Sequence, residues 1–392
     1  MKNWPRKFVL ACAAISLAAG RAQSGNATPA LALAGAADAA SWEEWAKPAG
    51  WKILAAPAEA AANADARLLA LAQVVRDAVA RHEVDPAHVY LAGRGDDAAM
   101  VFYGISRLPD LWAAGVAIGG SPQPAIETGR LFTTNFGLAP VLWIGGNNGD
   151  QAFAERLRAA GINLEWRPPA GLATAAVFEW LAGHERPQFP AEIDCETNSP
   201  EFARCYWLTP MTFDAAERND VLPSTRLAAG SGAYLDLGGF GYKTDDPGPG
   251  LLVTFLPQKY NGPLKLGDRL MELDGKPIAN PAQYAAMMGR MNEARHAAVM
   301  LERGKDRMRI ETTVRVPRRD SLVTARVQGR YDSDQKQVLI ISRMVTKMNV
   351  NLPSRWLPAT LFWNGLSLEN VAQPGCIQLT IDHELLHAAP CP

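Results

Sequence analysis

Short apolar runs alternate with helical segments along the first half of the chain. The runs at 88–92, 111–118 and 140–144 each have the length and composition of a buried strand. Helices are predicted at 65–82, 151–160 and 174–183, and the first of these carries Leu68, Leu71 and Val75 at helical spacing. Further strands are predicted at 50–57 and 162–166. Strands that alternate with helices predict a parallel sheet covered by helices on both faces.

The last part of the chain has a different period. Residues 324–331, 337–342 and 347–352 alternate apolar and polar side chains, as strands do. Residues 358–365 predict another strand, which ends in Asn364-Gly365, a dipeptide typical of hairpin turns. This half of the chain is therefore predicted to be rich in β-structure.

Length and composition then limit the classes of protein. A chain of 392 residues is expected to form two or three domains. With 48% hydrophobic and 20% charged residues, the composition is that of a soluble globular protein. Because the net charge is −1, the chain lacks the excess of basic residues that binding to nucleic acid or to an anionic membrane favours. Residues 25–44, rich in Ala, Gly and Ser, predict a flexible lead-in.

The first 24 residues have the composition of a signal peptide. Lys2, Arg6 and Lys7 precede an apolar run from Phe8 to Ala19, and small residues follow it. No later segment is long and apolar enough to predict a membrane span. The protein is therefore expected to be exported, periplasmic or extracellular, and not to span a membrane.

The cysteines agree with export. Outside the predicted signal peptide there are four, which allow three pairings. The pairs Cys195–Cys205 and Cys376–Cys391 are favoured because each closes a short loop, and free thiols are the alternative.

A strand-to-helix turn is the most informative motif in the first half. Gly93-Arg94-Gly95-Asp96-Asp97 has the spacing of G-x-S-x-G, the turn that presents a nucleophilic serine, but Gly95 occupies the serine position. With Pro109–Ala114, Pro140–Gly145 and Phe178–Leu181, this segment resembles secreted esterases of the dienelactone-hydrolase and polyhydroxyalkanoate-depolymerase type. The resemblance implies a trimmed α/β-hydrolase-like domain over 45–190.

Carried over from that resemblance, the catalytic residues are incomplete. Gly93, Gly95 and Asp97 form a degenerate turn, and Asp150 or Asn148 occupies the position of the acid. The histidine position falls near Gly171 and Leu172, where there is no imidazole. Because loss of the nucleophile or the base costs roughly a million-fold in turnover, the sequence predicts a non-catalytic relative. A displaced site that uses Asp96, Asp150 and His184 is the alternative.

A second unit is predicted over 230–317. Gly239-Phe240-Gly241-Tyr242 and the run from Leu264 to Ile278 resemble the carboxylate-binding loop and the L-K-x-G-D segment of PDZ domains, and the groove helix would follow Asn280. The resemblance implies capture of C-terminal or extended peptide segments, with a pocket lined by Phe240, Tyr242, Tyr284 and Met288. The alternative is a domain that binds nothing.

The predicted PDZ domain would interrupt a β-rich module formed by 195–229 and 318–392. In the hydrolase-like proteins such a module follows the catalytic domain, and Cys205–Leu208 resembles its start and Trp363–Gly365 its end. The fold class predicted for the whole chain is thus α/β, a trimmed hydrolase-like parallel sheet followed by a small β-module with a PDZ domain.

One metal motif needs consideration. His383-Glu384-Leu385-Leu386-His387 fits H-E-x-x-H, which binds zinc on a helix. Here the alternation from Ile377 to Leu385 predicts a strand, on which the two histidines would lie about 13 Å apart. No metal and no cofactor are therefore expected. The sequence predicts an exported pseudo-hydrolase that binds peptides; an esterase or peptidase with an atypical site is the rival, and a purely structural role is the third possibility.

Overall fold

A computed structural model describes residues 27–35, 38–57, 63–146, 148–170, 173–219, 221–227, 233–291, 293–316, 324–382 and 385–392. The signal peptide predicted at 1–24, the positions 171–172 and the pair His383 and Glu384 lie outside these residues.

The N-terminal part is a parallel α/β layer structure. Its elements are β1 (Thr28–Leu33), α1 (Ala39–Ala46), β2 (Lys52–Ala55), α2 (Ala64–Ala80), β3 (Val84–Arg94), α3 (Ala98–Arg107), β4 (Ala114–Ile118), α4 (Gln123–Glu127), β5 (Val141–Ile144), α5 (Asn148–Ala159), β6 (Leu164–Arg167) and α6 (Thr174–Ala182). The six strands are all parallel, in the order β2-β1-β3-β4-β5-β6.

Helices cover both faces of this sheet, as the sequence predicts. One core joins α2, α3 and α5 to one face through residues such as Leu71, Phe102 and Leu157. The other joins α1 and α6 to the opposite face through Trp42 and Phe178. Successive strand residues alternate between the two cores because side chains of a strand point to opposite faces.

The flexible lead-in predicted over 25–44 is wrong for its described residues. Strand β1 lies inside the sheet between β2 and β3, and α1 begins at Ala39. Leu31 and Leu33 enter one core while Ala30 and Ala32 enter the other. The alanines are buried because the covering helix approaches closely there, so their small size reflects packing and not flexibility.

Two antiparallel-rich sheets follow. Their strands are β7 (Glu192–Thr197), β8 (Leu208–Phe213), β16 (Ala325–Asp332), β17 (Gln337–Arg343), β18 (Val345–Leu352), β19 (Ala359–Trp363), β20 (Leu366–Val371), β21 (Gly375–Asp382) and β22 (Leu385–Pro390). One sheet has the order β20-β19-β17-β16-β7 and the other β22-β21-β18-β8. Their facing side chains share one core, which contains Trp207, Trp356 and Trp363.

Between β8 and β16 the chain forms another sheet. Its elements are β9 (Tyr234–Leu235), β10 (Gly241–Tyr242), β11 (Leu251–Phe255), β12 (Arg269–Leu273), β13 (Lys276–Pro277), α7 (Pro281–Gly289), β14 (Arg295–Arg303) and β15 (Asp306–Arg315). The order is β10-β11-β12-β14-β15-β9, with β13 paired to β12. This sheet has its own core, which includes Leu270, Tyr284 and Val299.

Both predicted disulfides are confirmed. Cys195 is bonded to Cys205 and Cys376 to Cys391. The described residues contain no helix long and apolar enough to cross a membrane.

The single strand predicted from Ile377 to Leu385 is wrong. Strands β21 and β22 form an antiparallel pair in which Asp382 lies opposite Leu385 and His387 opposite Thr380. Both strands place one face against solvent, so apolar and polar residues alternate in each of them. The alternation alone therefore does not reveal the point at which the chain reverses direction between the two strands.

Candidate functional site

The turn after β3, predicted to be a degenerate nucleophile turn, is sharp and depends on glycines. Gly95 has a φ of +58°, and a Cβ added to it would meet no atom within 4 Å. A Cβ on Gly93 would lie 2.3 Å from the carbonyl oxygen of Asp97, and one on Gly120 would lie 1.9 Å from that of Gly95. The neighbouring glycines are thus required by close backbone contacts, whereas the Gly95 position itself faces open space.

Two carboxylates, those of Asp96 and Asp97, lie at this corner, and neither contacts a histidine among the described residues. Asp97 forms an ion pair with Arg67, with 3.2 Å between Oδ1 and Nη1, and it lies against Gly35 so closely that a Cβ there would be 1.8 Å from its Oδ2. Asp96 is exposed, and Arg94 points away over the ring of Trp45. Asp97 therefore fixes the turn to α2.

Asp150 lies at the same edge of the sheet, at the start of α5 after β5. Its Oδ2 accepts the backbone N–H of Gly146 at 2.7 Å, and the side chain is buried. A Cβ on Gly145 would lie 2.9 Å from the Cβ of Asp150. The carboxylate holds the loop that joins β5 to α5, which is a structural role that needs no catalytic histidine.

His184 lies at the opposite edge of the sheet. Its Nδ1 is 2.8 Å from the carbonyl oxygen of Trp180, and its own carbonyl accepts the hydroxyl of Tyr90. Two residues later, Arg186 donates its backbone N–H to Ala87 near the start of β3. Because Ala87 precedes Gly95 by eight strand residues, about 25 Å separates them. The structure therefore does not bring His184 together with Asp96 and Asp150.

The other histidines that the structure describes are also placed elsewhere, and His82 lies two residues after the end of α2. His88 contacts Asp85 at 2.7 Å, His296 lies on β14 and His387 on β22. Among the residues that the structure describes, no imidazole is placed at the corner, and no group of three or more histidine, cysteine or acidic residues could hold a metal ion.

The second candidate site lies between β10 and α7. Strand β10 is at the end of its sheet and pairs, among the described strands, only with β11. The loop before it contains Gly238 and Gly239, with φ values of +80° and +79°. Within the described part of the chain, the backbone N–H groups of Gly239 and Phe240 donate no hydrogen bond. These donors and the free strand edge lie side by side.

Four of the predicted pocket residues come together beside that edge. The rings of Phe240 and Tyr242 have centroids 6.2 Å apart, and Tyr242 lies edge-on to Tyr284 of α7 at 5.7 Å. Tyr284 and Met288 belong to the core beneath, against which Phe240 and Tyr242 pack. Burial raises the pKa of the Tyr242 and Tyr284 hydroxyls, so both remain uncharged. Their role in binding stays a prediction.

Local signals explain the position of α7. Asn280 accepts the backbone N–H of Gln283 at 2.9 Å, and Pro281 occupies the first turn, as the sequence predicts for a helix start. Gln283 returns a bond by accepting the N–H of Ala279 at 2.5 Å. This reciprocal cap sets the end of the helix from which Tyr284 and Met288 project.

Sequence reasoning missed a cleft of about 580 Å³. It lies between the loop of Thr134 and Asn135 and the sheet face that carries Asp194, Gln328 and Ile341. Asp194 accepts hydrogen bonds there from Arg326 and Gln328. Segments far apart in the chain form this cleft, so no local motif indicates it.

No protein-family model and no curated protein matches this chain. Among solved structures, it is similar to esterase PE8, with 19% identity over 41% of this chain and 93% of that one and a TM-score of 0.31. SOBER1 of Arabidopsis thaliana has 15% identity over 40% of this chain and 98% of its own, with a TM-score of 0.28. A fungal esterase from Rhizomucor miehei has 12% identity over 41% of this chain and 75% of its own, with a TM-score of 0.32. At TM-scores this low the similarities support no argument about activity.

Proposed function

We propose that this is an exported, non-catalytic protein that binds the C-terminal or extended segment of another protein in the groove between β10 and α7. The observation that carries the proposal is the free edge of β10 beside a glycine loop with unbonded N–H groups. We also propose that the 230–317 region is a PDZ domain and that the rest of the chain serves as its scaffold.

The physical argument is strand addition. An extended peptide pairs with an exposed strand edge through main-chain hydrogen bonds, and a terminal carboxylate accepts bonds from free N–H groups of a loop. The N–H groups of Gly239 and Phe240 are suited to that acceptor. The half-buried rings of Phe240 and Tyr242 supply an apolar surface for the last side chain of the peptide, and Tyr284 and Met288 support them from the core beneath. Burying a side chain of the size of valine or leucine there would contribute about 1.5–3 kcal/mol.

The test is selection of peptides from a library with free C-termini by the full-length protein, followed by titration of the selected peptide. Gly239→Ala should weaken binding at least about tenfold, because a Cβ at its φ of +79° costs about 1–2 kcal/mol and shifts the loop.

Gly304→Ala is the matched control. Gly304 also has a positive φ, +64°, in the turn between β14 and β15 of the same sheet, and a Cβ there meets nothing within 4 Å. The Gly304→Ala substitution should lower the free energy of unfolding about as much as Gly239→Ala does and leave the peptide affinity unchanged. Capture of no peptide, or equal binding by both variants, would show that the groove is not a peptide site.

A second candidate function is ester hydrolysis. The observation that favours it is the open corner at Gly95 with Asp150 at the same edge of the sheet. It requires purified protein to hydrolyse activated esters, and Asp150→Asn to abolish that turnover. A serine-directed inhibitor and added zinc separate the possible chemistries. Absence of turnover under all these conditions would leave peptide binding as the better explanation.

A further inference from the structure

A cavity of about 340 Å³ lies at the amino edge of the parallel sheet, away from both the Gly95 corner and the β10–α7 groove. Helix α2 forms one wall with Arg76 and Val79, and the start of β3 contributes Val89. The opposite wall comes from the segment after α6 and the loop before β8, which contribute Phe189 and Arg204. The cavity is therefore shared between the parallel layer structure and the β-rich sheets.

Its charges are unbalanced. Three guanidinium groups, those of Arg76, Arg186 and Arg204, line it together with one carboxylate, that of Asp110. Arg204 Nε donates to Asp110 Oδ2 at 3.1 Å. Arg186 donates to the carbonyl oxygens of Pro86 at 2.9 Å and Asp110 at 3.2 Å, so it is held in place by neutral acceptors. Two positive charges remain without a compensating carboxylate in the lining.

Arg76 has the fewest partners of the three. In the part of the chain that the structure describes, its guanidinium donates no hydrogen bond and forms no ion pair, although the residue is half-buried. Burial and the neighbouring charge of Arg204 lower the pKa of its guanidinium, an effect that Asp110 partly offsets. An arginine nevertheless stays charged at neutral pH. A half-buried cation beside another cation is unfavourable unless an anion joins them.

The remaining lining is apolar. Val79, Val89, Leu111 and Phe189 face the same space. An inorganic anion would leave this surface in contact with water, whereas an organic anion with an apolar body would cover it. Guanidinium groups match the planar carboxylate through two parallel hydrogen bonds. The size of the cavity is at the lower end of that of small-molecule sites.

We propose that this cavity binds a small organic carboxylate, with its carboxylate on Arg76 and Arg204 and its apolar body against Val79, Leu111 and Phe189. The bound anion neutralises the excess charge of the arginines and the apolar body leaves water. This site is independent of the peptide groove and of any hydrolytic chemistry.

Calorimetric titration of the full chain with benzoate tests the proposal. Benzoate should bind, while benzamide, which has the same shape without the charge, and inorganic phosphate, which has charge without the ring, should bind at least about tenfold more weakly. Equal binding of phosphate or benzamide, or no binding of benzoate, would overturn it.

Variants locate the site. Arg76→Gln should weaken benzoate binding about tenfold to a hundredfold, since it removes a charge-assisted pair. Arg81→Gln is the matched control, because Arg81 belongs to the end of the same helix but pairs with Glu83 outside the cavity lining. Arg204→Gln serves as a second variant should Arg76→Gln fold poorly. Unchanged affinity in a folded Arg76 or Arg204 variant would contradict the assignment.

Discussion

Gly95 is the residue on which a catalytic interpretation depends. Its φ is positive, +58°, and a side chain added there would meet open space. The surrounding glycines allow the close backbone contacts that such a turn needs. What the described corner lacks is a base: His184, the nearest candidate in the sequence, is bonded near the far end of β3.

Introducing a serine side chain at this position alone should therefore not create ester-hydrolysing activity. We expect Gly95→Ser to fold with a loss of about 1–2 kcal/mol in the free energy of unfolding, because serine at this φ is strained but meets no neighbour. Turnover of p-nitrophenyl acetate should stay at the level of the unaltered protein, because none of the described imidazoles is placed to accept the serine proton.

Gly129→Ser is the control for strain, since Gly129 also has a positive φ and open space but lies after α4. A burst of p-nitrophenol from Gly95→Ser that Gly129→Ser lacks would reveal a base at the corner and contradict this explanation.

At the scale of elements, Asp268 fixes the loop that enters β12. Its carboxylate is 1% exposed and accepts bonds from Arg303 of β14, at 2.8 Å from Nε and 2.7 Å from Nη2, and from the N–H of Lys265 at 2.6 Å. Burial by itself raises the pKa of this carboxyl, but the bonds from Arg303 and Lys265 outweigh it and hold the pKa below its usual value. Asp268 thus links the loop before β12 to β14 of the same sheet.

A pH dependence follows from that direction. Because the folded-state pKa lies below the unfolded value of about 3.9, the stabilisation is fully present above about pH 4 and is lost as the pH falls through the folded-state pKa. Asp268→Asn should cost about 1–3 kcal/mol at pH 7, and its difference from the unaltered protein should shrink in acid, as measured by urea unfolding at a series of pH values.

Asp236→Asn is the control, because Asp236 forms an exposed pair with Arg315 in the same sheet and should contribute at most about 1 kcal/mol. A difference for Asp268→Asn that stays constant from pH 7 to pH 3 would contradict the role given to Asp268.

Sequence patterns predicted elements well where one pattern has one structural meaning. The apolar run at 88–92 falls within β3, the run at 140–144 contains all of β5, and Leu68, Leu71 and Val75 face the core from α2. Strand β1 was missed because Ala30 and Ala32 are typical both of a loose linker and of a strand beneath a close helix. The pairing of β21 with β22 was missed because alternation persists through a hairpin.

At the scale of the whole molecule, Asn135 joins the parallel layer structure to the β-rich sheets. It is 3% exposed; its Nδ2 donates to the carbonyl oxygens of Ser106 and Glu196, and its Oδ1 accepts the N–H of Glu196 at 2.8 Å. Ser106 belongs to α3 and Glu196 to β7, so one amide side chain satisfies buried backbone groups on both sides.

Asn135→Leu should destabilise the protein by about 2–5 kcal/mol in urea unfolding, because it leaves the N–H of Glu196 and buried carbonyl groups without partners. Asn349→Leu is the control: Asn349 is half-buried on β18 and accepts one bond, from Gln378 of the same sheet, so about 1 kcal/mol is expected. Equal effects of the two substitutions would show that Asn135 does not join the two parts.

Sites that distant segments build were not predictable from this sequence. The 580 Å³ cleft combines Pro109 and Thr134 with Asp194 and Gln328, and the arginine-lined cavity combines α2 with residues after α6. Neither has a local motif, because each arises from packing between sheets. The elements that form the candidate site beside β10 were predictable, since the segment Gly239–Tyr242 and helix α7 each have a local signal.

The decisive measurement is hydrogen exchange by mass spectrometry on the full-length protein, with and without a library-selected peptide. Binding in the groove should slow exchange of the amides at 239–243 and of α7 while leaving those at 93–98 unchanged, and the same peptide with an amidated C-terminus should give weaker protection. Protection at 93–98, or none at 239–243 when the peptide is bound, would contradict the assignment of function to the groove between β10 and α7.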